Sequence, residues 1–222
     1  MNDPATDLLL WARGTGFILA VAVFVIGLLL RLIEIYTLGT YRHCIPPPNP
    51  AGVSSGTSTV FRRFLIPSGM LKRAPVTYLG GYVFHVGFFI TLFLFVPHIE
   101  LFKSLLGVAW PAMPNVVVDM AAVLTMIAML VVLVSRLTDP VKRFLSRFED
   151  YLVWLLTFLP LLTGYLALHH LLLPYTLMLA LHFLSAELLL AALPFTKLIH
   201  FITALPSRWI TGQWFGRKGV IS

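Results

Sequence analysis

The chain has 222 residues, 59% of them hydrophobic and 11% charged, with a mean hydropathy of +0.90 and a formal net charge of +7. Soluble domains carry about 25% charged residues, so this balance excludes an ordinary soluble domain and indicates an integral membrane protein. The single cysteine, Cys44, excludes a disulfide framework, a thiolate zinc site or an iron–sulfur cluster built from this chain alone.

Taken in order, the N-terminal MNDPATDLLLWARG has acids where a signal peptide needs a basic region, so no cleaved leader is expected. Five apolar segments follow, at about residues 15–35, 79–97, 116–133, 151–170 and 177–204, each long enough to cross a bilayer as a helix and nearly free of charge. None shows the alternating polar positions of a barrel strand. The expected architecture is therefore all-α: one membrane domain, residues 1–222, built as a five-helix bundle. Residues 38–77 are expected to form a connecting loop, irregular through CIPPPNPAGVSSGTSTV and interfacial through FRRFLIPSGMLKR. HIELFKSLLGVAWPAMP reads as a short amphipathic piece on the opposite surface, with Trp110 at headgroup depth. The turn around Pro174 and Tyr175 is so short that helices four and five must be antiparallel neighbours.

Lys and Arg are distributed unevenly. Arg42, Arg62, Arg63, Lys72 and Arg73 precede helix two, Arg136, Lys142, Arg143 and Arg147 lie between three and four, and Arg208, Arg217 and Lys218 lie in the tail. The other side has Arg13 and Lys103. The positive-inside rule places these basic connections in the cytoplasm, the N-terminus outside, and the protein as a multi-pass component of the cytoplasmic (inner) membrane. That distribution does not fit a nucleic-acid binder. Topology alone accounts for the basic loops; a docking face for an acidic partner is the other reading.

Seven histidines occur, and only His43 falls in a polar loop. Ionisable groups in hydrocarbon are costly, so His85, His98, His169, His170, His182 and His200 raise a functional hypothesis. His182 and His200 are 18 residues apart. On a continuous helix that is five whole turns, about 27 Å, so both rings would face one way near opposite sides of the membrane. Haem b takes two neutral imidazoles from opposite faces of its ring. By depth, His85 pairs with His200 (an inner haem) and His98 with His182 (an outer haem). Gly80, Gly81 and Gly87 would admit a porphyrin edge near His85 or serve helix packing. Glu187, about 140° around the helix from His182, is expected to be a neutral acid bonded to a helix-four group such as Thr163, or part of a proton path. Asp119 suits the start of a helix, and Lys197 is expected to snorkel to the inner surface.

The run from His182 through Pro194-Phe195-Thr196-Lys197-Leu198-Ile199-His200 to Pro206 resembles the last helix of the gamma (cytochrome b) subunit of respiratory nitrate reductase. That family includes the membrane cytochrome b subunits of heterodisulfide-reductase-like and sulfite-reductase-linked complexes. Phe84-His85-Val86-Gly87 resembles its helix-two motif. The resemblance implies haem ligation by His85 and His200 on the cytoplasmic side and by His182 on the outer side. The family's fourth ligand falls about where Phe95 stands here. The next histidine, His98, is 13 residues beyond His85, about 220° of ideal helix, so it reaches the same side only if Pro97 kinks the helix. His169 or His170 is the substitute, and a single-haem protein is the remaining case. Quinol contact near Lys103 and the outer ends of helices two and five is also implied, and the proton-path reading of Glu187 would serve such quinone chemistry.

Together these readings describe a quinol-oxidising electron-transfer subunit. It would carry two haems b and exchange electrons between the quinone pool, with quinol oxidation favoured over flow toward quinone, and a cytoplasmic iron–sulfur subunit serving a further catalytic subunit that holds the terminal substrate chemistry. A haem-free membrane anchor, with the histidines as packing residues, is the alternative. A proton-relay transporter is disfavoured for want of repeated, discontinuous helices.

Overall fold

A computed structural model describes residues 3–38, 53–66 and 68–220; Arg42, His43 and Cys44 lie outside the described residues. Among the described residues the regular structure is helical throughout, with no strand. Five helices are long and apolar enough to cross a membrane: Pro4–Leu38, Pro75–Leu94, Asn115–Thr138, Phe148–Leu168 and Tyr175–Phe195.

The first span is longer than the sequence suggests. It comprises α1 (Pro4–Trp11), a wide π-helical turn (Ala12–Gly16) and α2 (Phe17–Leu38). Residues 38–77, expected as irregular chain, contain two short helices, α3 (Val53–Arg62) and α4 (Ser68–Arg73). The remaining elements are α5 (Pro75–Leu94), α6 (Val96–Leu106), α7 (Asn115–Thr138), α8 (Pro140–Leu145), α9 (Phe148–Leu168), α10 (Tyr175–Ala192) and α11 (His200–Arg217). The first and fifth spans run parallel, with Arg13 over the Phe183 ring, Gly16 beside Glu187 and Gly27 against Pro194.

Two helices expected to be continuous are broken, each beside a proline. The second span ends at Leu94; Phe95 is extended (φ −88°, ψ 131°) and α6 restarts with Pro97 in its first turn. Pro97 has no N–H to continue the ladder. The carbonyls this releases find other donors: Trp110 Nε1 bonds Phe93 O (2.6 Å), the Met113 amide bonds Leu94 O (3.0 Å), and His98 Nδ1 bonds Thr91 O (2.8 Å). These bonds occupy carbonyls that would cost several kcal/mol each if left unpaired in hydrocarbon. The break replaces the simple kink at Pro97 that the sequence suggests.

The second break overturns the single fifth helix over residues 177–204. α10 ends at Ala192, Leu193–Phe195 forms a 3₁₀ turn around buried Pro194, and Thr196 is extended (φ −121°, ψ 178°). A second 3₁₀ turn, Lys197–Ile199, then leads into α11. Pro194 cannot donate to the helix, and Thr196 restarts it by accepting the Leu198 amide. His182 and His200 therefore do not lie on one continuous helical stripe.

Small residues set the close packing. α5 lies against α7, where a Cβ on Gly87 would collide with Thr125 Oγ1 and approach Ala121 O to 3.0 Å. Lipid provides no hydrophobic drive between helices, so such backbone approach supplies the dispersion that holds them. α9 and α10 pack as antiparallel neighbours across their short turn, and α3 is clasped to α11 by a hydrogen bond from Ser55 Oγ to Gly212 O (3.0 Å).

Candidate functional site

The bundle brings four histidines together in two pairs. His85 on α5 faces His200 at the start of α11, with ring centroids 6.1 Å apart and planes inclined at 78°. His98 on α6 faces His182 on α10, also at 6.1 Å, with planes inclined at 18°. Each ring is oriented by its own backbone partner. Nδ1 of His85 donates to Gly81 O (2.7 Å), that of His98 to Thr91 O (2.8 Å), that of His182 to Pro160 O (3.1 Å), and that of His200 to Lys197 O (2.8 Å). A carbonyl only accepts, so Nδ1 carries a proton, and in the neutral ring Nε2 keeps its lone pair. Among the described residues, no Nε2 of these four is hydrogen-bonded. Burial also holds the His98 imidazole below the ordinary histidine range, which favours its neutral form.

The local sequence explains each placement. The break at Phe95 turns His98 inward, with its ring reaching back to Thr91. His182 sits in a notch of α9 between Pro160 and Gly164, where a Cβ on Gly164 would lie 2.9 Å from Cε1 of the ring. His200 depends on the second break. Glu149 accepts the Lys197 backbone amide (2.9 Å) and Asp150 accepts Lys197 Nζ (2.8 Å), so the first turn of α9 holds the peptide whose carbonyl orients His200. Lys197 is therefore an ion-pair partner of Asp150 and not a free snorkelling cation.

Other expected residues stand elsewhere. His169 Nε2 bonds Asp119 Oδ1 at 2.8 Å, tying the end of α9 to α7. His170 has a left-handed backbone (φ 54°) and lies against the Tyr175 ring. Neither reaches the His98–His182 pair. Gly80 packs on Val132 and Gly87 on Thr125, so both serve helix packing; Gly81 is open and supplies the carbonyl for His85. Thr163 bonds Leu159 O and Ser185 Oγ, not Glu187, and Glu187 turns instead toward the first span. Lys103 forms an exposed ion pair with Glu100 (3.5 Å). The orienting residues Thr91, Pro160, Gly164, Glu149 and Asp150 escaped the sequence reading. A proline and a glycine four residues apart inside an apolar helix were the one available signal.

Among the described residues, no group of three or more His, Cys, Asp or Glu side chains is placed to hold a metal ion; the imidazoles come in twos. Two is the number that haem iron needs. Each pair, at a centroid spacing of 6.1 Å and with every ring anchored to a backbone carbonyl, has the donor type that would hold a haem iron.

A protein of Nitratidesulfovibrio vulgaris (strain Hildenborough), described only as "Protein", is similar to this chain, at 27% identity over 158 residues covering 70% of each. No family model and no solved structure matches the chain.

Proposed function

We propose that the protein is a membrane cytochrome b subunit related to the nitrate reductase gamma family, with His85 and His200 ligating one haem b and His98 and His182 a second. The observation that carries this reading is the repeated 6.1 Å imidazole spacing, with every Nδ1 committed to a backbone carbonyl. Packing histidines have no reason to share one spacing and one tautomer at two separate places. Haem bound at the two pairs would supply one-electron transfer across the membrane.

The distribution of basic residues supports an orientation for the path. Arg62, Arg63, Lys72, Arg73, Lys142, Arg143, Arg147, Arg208, Arg217 and Lys218 belong to the connections and tail at the His85–His200 end. The positive-inside rule puts that end in the cytoplasm and the N-terminus outside. The His98–His182 pair then lies toward the outer face, where quinol would be oxidised and its protons released. The His85–His200 pair faces the basic surface, which suits docking of an acidic iron–sulfur subunit of a larger respiratory complex. The substrate of that complex is the partner's chemistry.

A pyridine haemochrome assay on purified protein, normalised to protein concentration, tests this. Two haems b per chain are expected, falling to one in His200→Ala and to one in His98→Ala. Haem-free protein, folded and expressed with haem supplied, would return the histidines to packing and leave a membrane anchor.

A further inference from the structure

Glu187 is the buried group that the two imidazole pairs leave unexplained. It sits in the middle of α10, is 8% exposed, and its Oε1 has no hydrogen-bond partner. An unpaired carboxylate in hydrocarbon is costly, so the group is the neutral acid unless a nearby positive charge compensates its ionised form. It is packed against the π-helical turn Ala12–Gly16. A Cβ on Gly16 would lie 2.9 Å from Glu187 Oε2 and 3.0 Å from the Trp11 ring, so glycine is what lets the carboxyl lie along that backbone. The Phe17 amide reaches back to Ala12 O, five residues earlier. A turn widened in this way leaves a main-chain carbonyl short of its usual donor, and such bulges recur at functional sites. A neutral acid has one proton to give there.

We propose that Glu187 is a proton-exchange site, loaded from the outer face along the Arg13–Trp11 side of the π turn. Its neighbours leave it no ion-pair partner. Arg13 lies over the Phe183 ring one turn before Glu187, and Arg31 is engaged by Glu34 and Pro194 O. On α9, Tyr165 lies against His169, while Glu149 and Asp150 are occupied by Lys197. Asp7 on α1 has an interaction of its own, and His182, on α10 itself, is turned to Pro160. Glu187 is five residues, about 7.5 Å along the axis, from His182. Resting on the electron-transfer reading, loss of an electron from the His98–His182 pair would leave a positive charge that lets Glu187 release its proton, and the next electron, supplied by quinol, would bring the proton back. The proton leaves outward when the electron moves on, so one positive and one negative charge enter and leave together.

Infrared spectroscopy of the purified protein tests the site without reference to haem. A carboxylic-acid carbonyl band that shifts in D₂O, disappears in Glu187→Gln and moves in Gly16→Ala supports it; a spectrum unchanged by Glu187→Gln overturns it. The coupling is read by redox titration at several pH values. The midpoint potential of the outer haem should fall with rising pH in the wild type and lose that slope in Glu187→Gln at unchanged haem content. A slope retained in the variant overturns the coupling. An exchanging Glu187 band in a chain that binds no haem overturns the electron linkage and the cytochrome reading together, and leaves the proton site standing.

Discussion

Replacing Gly164 with alanine would put a methyl group 2.9 Å from Cε1 and 3.1 Å from Nδ1 of His182. The ring cannot keep both that position and its bond to Pro160 O. Residues that orient a ligand typically contribute 10–100-fold to metal affinity, so on the proposed reading Gly164→Ala should weaken haem binding at the His98–His182 pair by about tenfold or more. Haem titration of the apoprotein checks this, with the other site as internal control. His169 makes the opposite case. Its Nε2 is committed to Asp119, so His169→Ala should keep both haems and lose only the α7–α9 tie. Loss of a haem in that variant would exchange the roles of His98 and His169. At this scale the sequence singled out the histidines that the structure brings into two pairs, because histidine in hydrocarbon stands out by cost alone. It was silent on what orients them, because backbone carbonyls such as Thr91 O and Lys197 O have no signature in a one-dimensional reading.

The helices show where periodicity reasoning succeeds and where it stops. Long apolar runs reveal five spans, since a bilayer imposes length and composition directly. The interruptions at Phe95 and Thr196 depend on donors far along the chain, Trp110 and Met113 for one and Glu149 with Asp150 for the other. A count of 100° per residue cannot see them. The second break yields a prediction. In Glu149→Gln combined with Asp150→Asn, Lys197 loses its charged partners and the peptide that orients His200 is freed. Haem affinity at the His85–His200 pair should fall about tenfold, with the His98–His182 pair unaffected. Haem titration monitored in separate redox windows distinguishes the two.

Across the whole molecule, the two ends of the bundle differ in charge and in construction. The end bearing α3, α4, α8 and α11 carries nearly all the Lys and Arg, while Arg13 and Lys103 serve the other. On the proposed reading, changing Arg62 and Arg63 together to glutamate should weaken association with the proposed acidic partner and flatten its salt dependence, leaving haem content intact. Co-purification across a range of ionic strengths checks this. The first and fifth spans also meet through Gly16, Glu187, Gly27 and Pro194, contacts that no composition argument anticipates.

His200 is the first residue of α11, and the far half of that helix is held by α3 through Ser55 and Gly212. α11 is thus an arm of 18 residues, about 27 Å long, hinged at an imidazole. A load on α3 would be carried along α11 to the ring at its start, whereas His182 is fixed midway along a span packed against its neighbours. Mechanical strain applied at the basic surface is therefore registered at one pair of rings and not at the other.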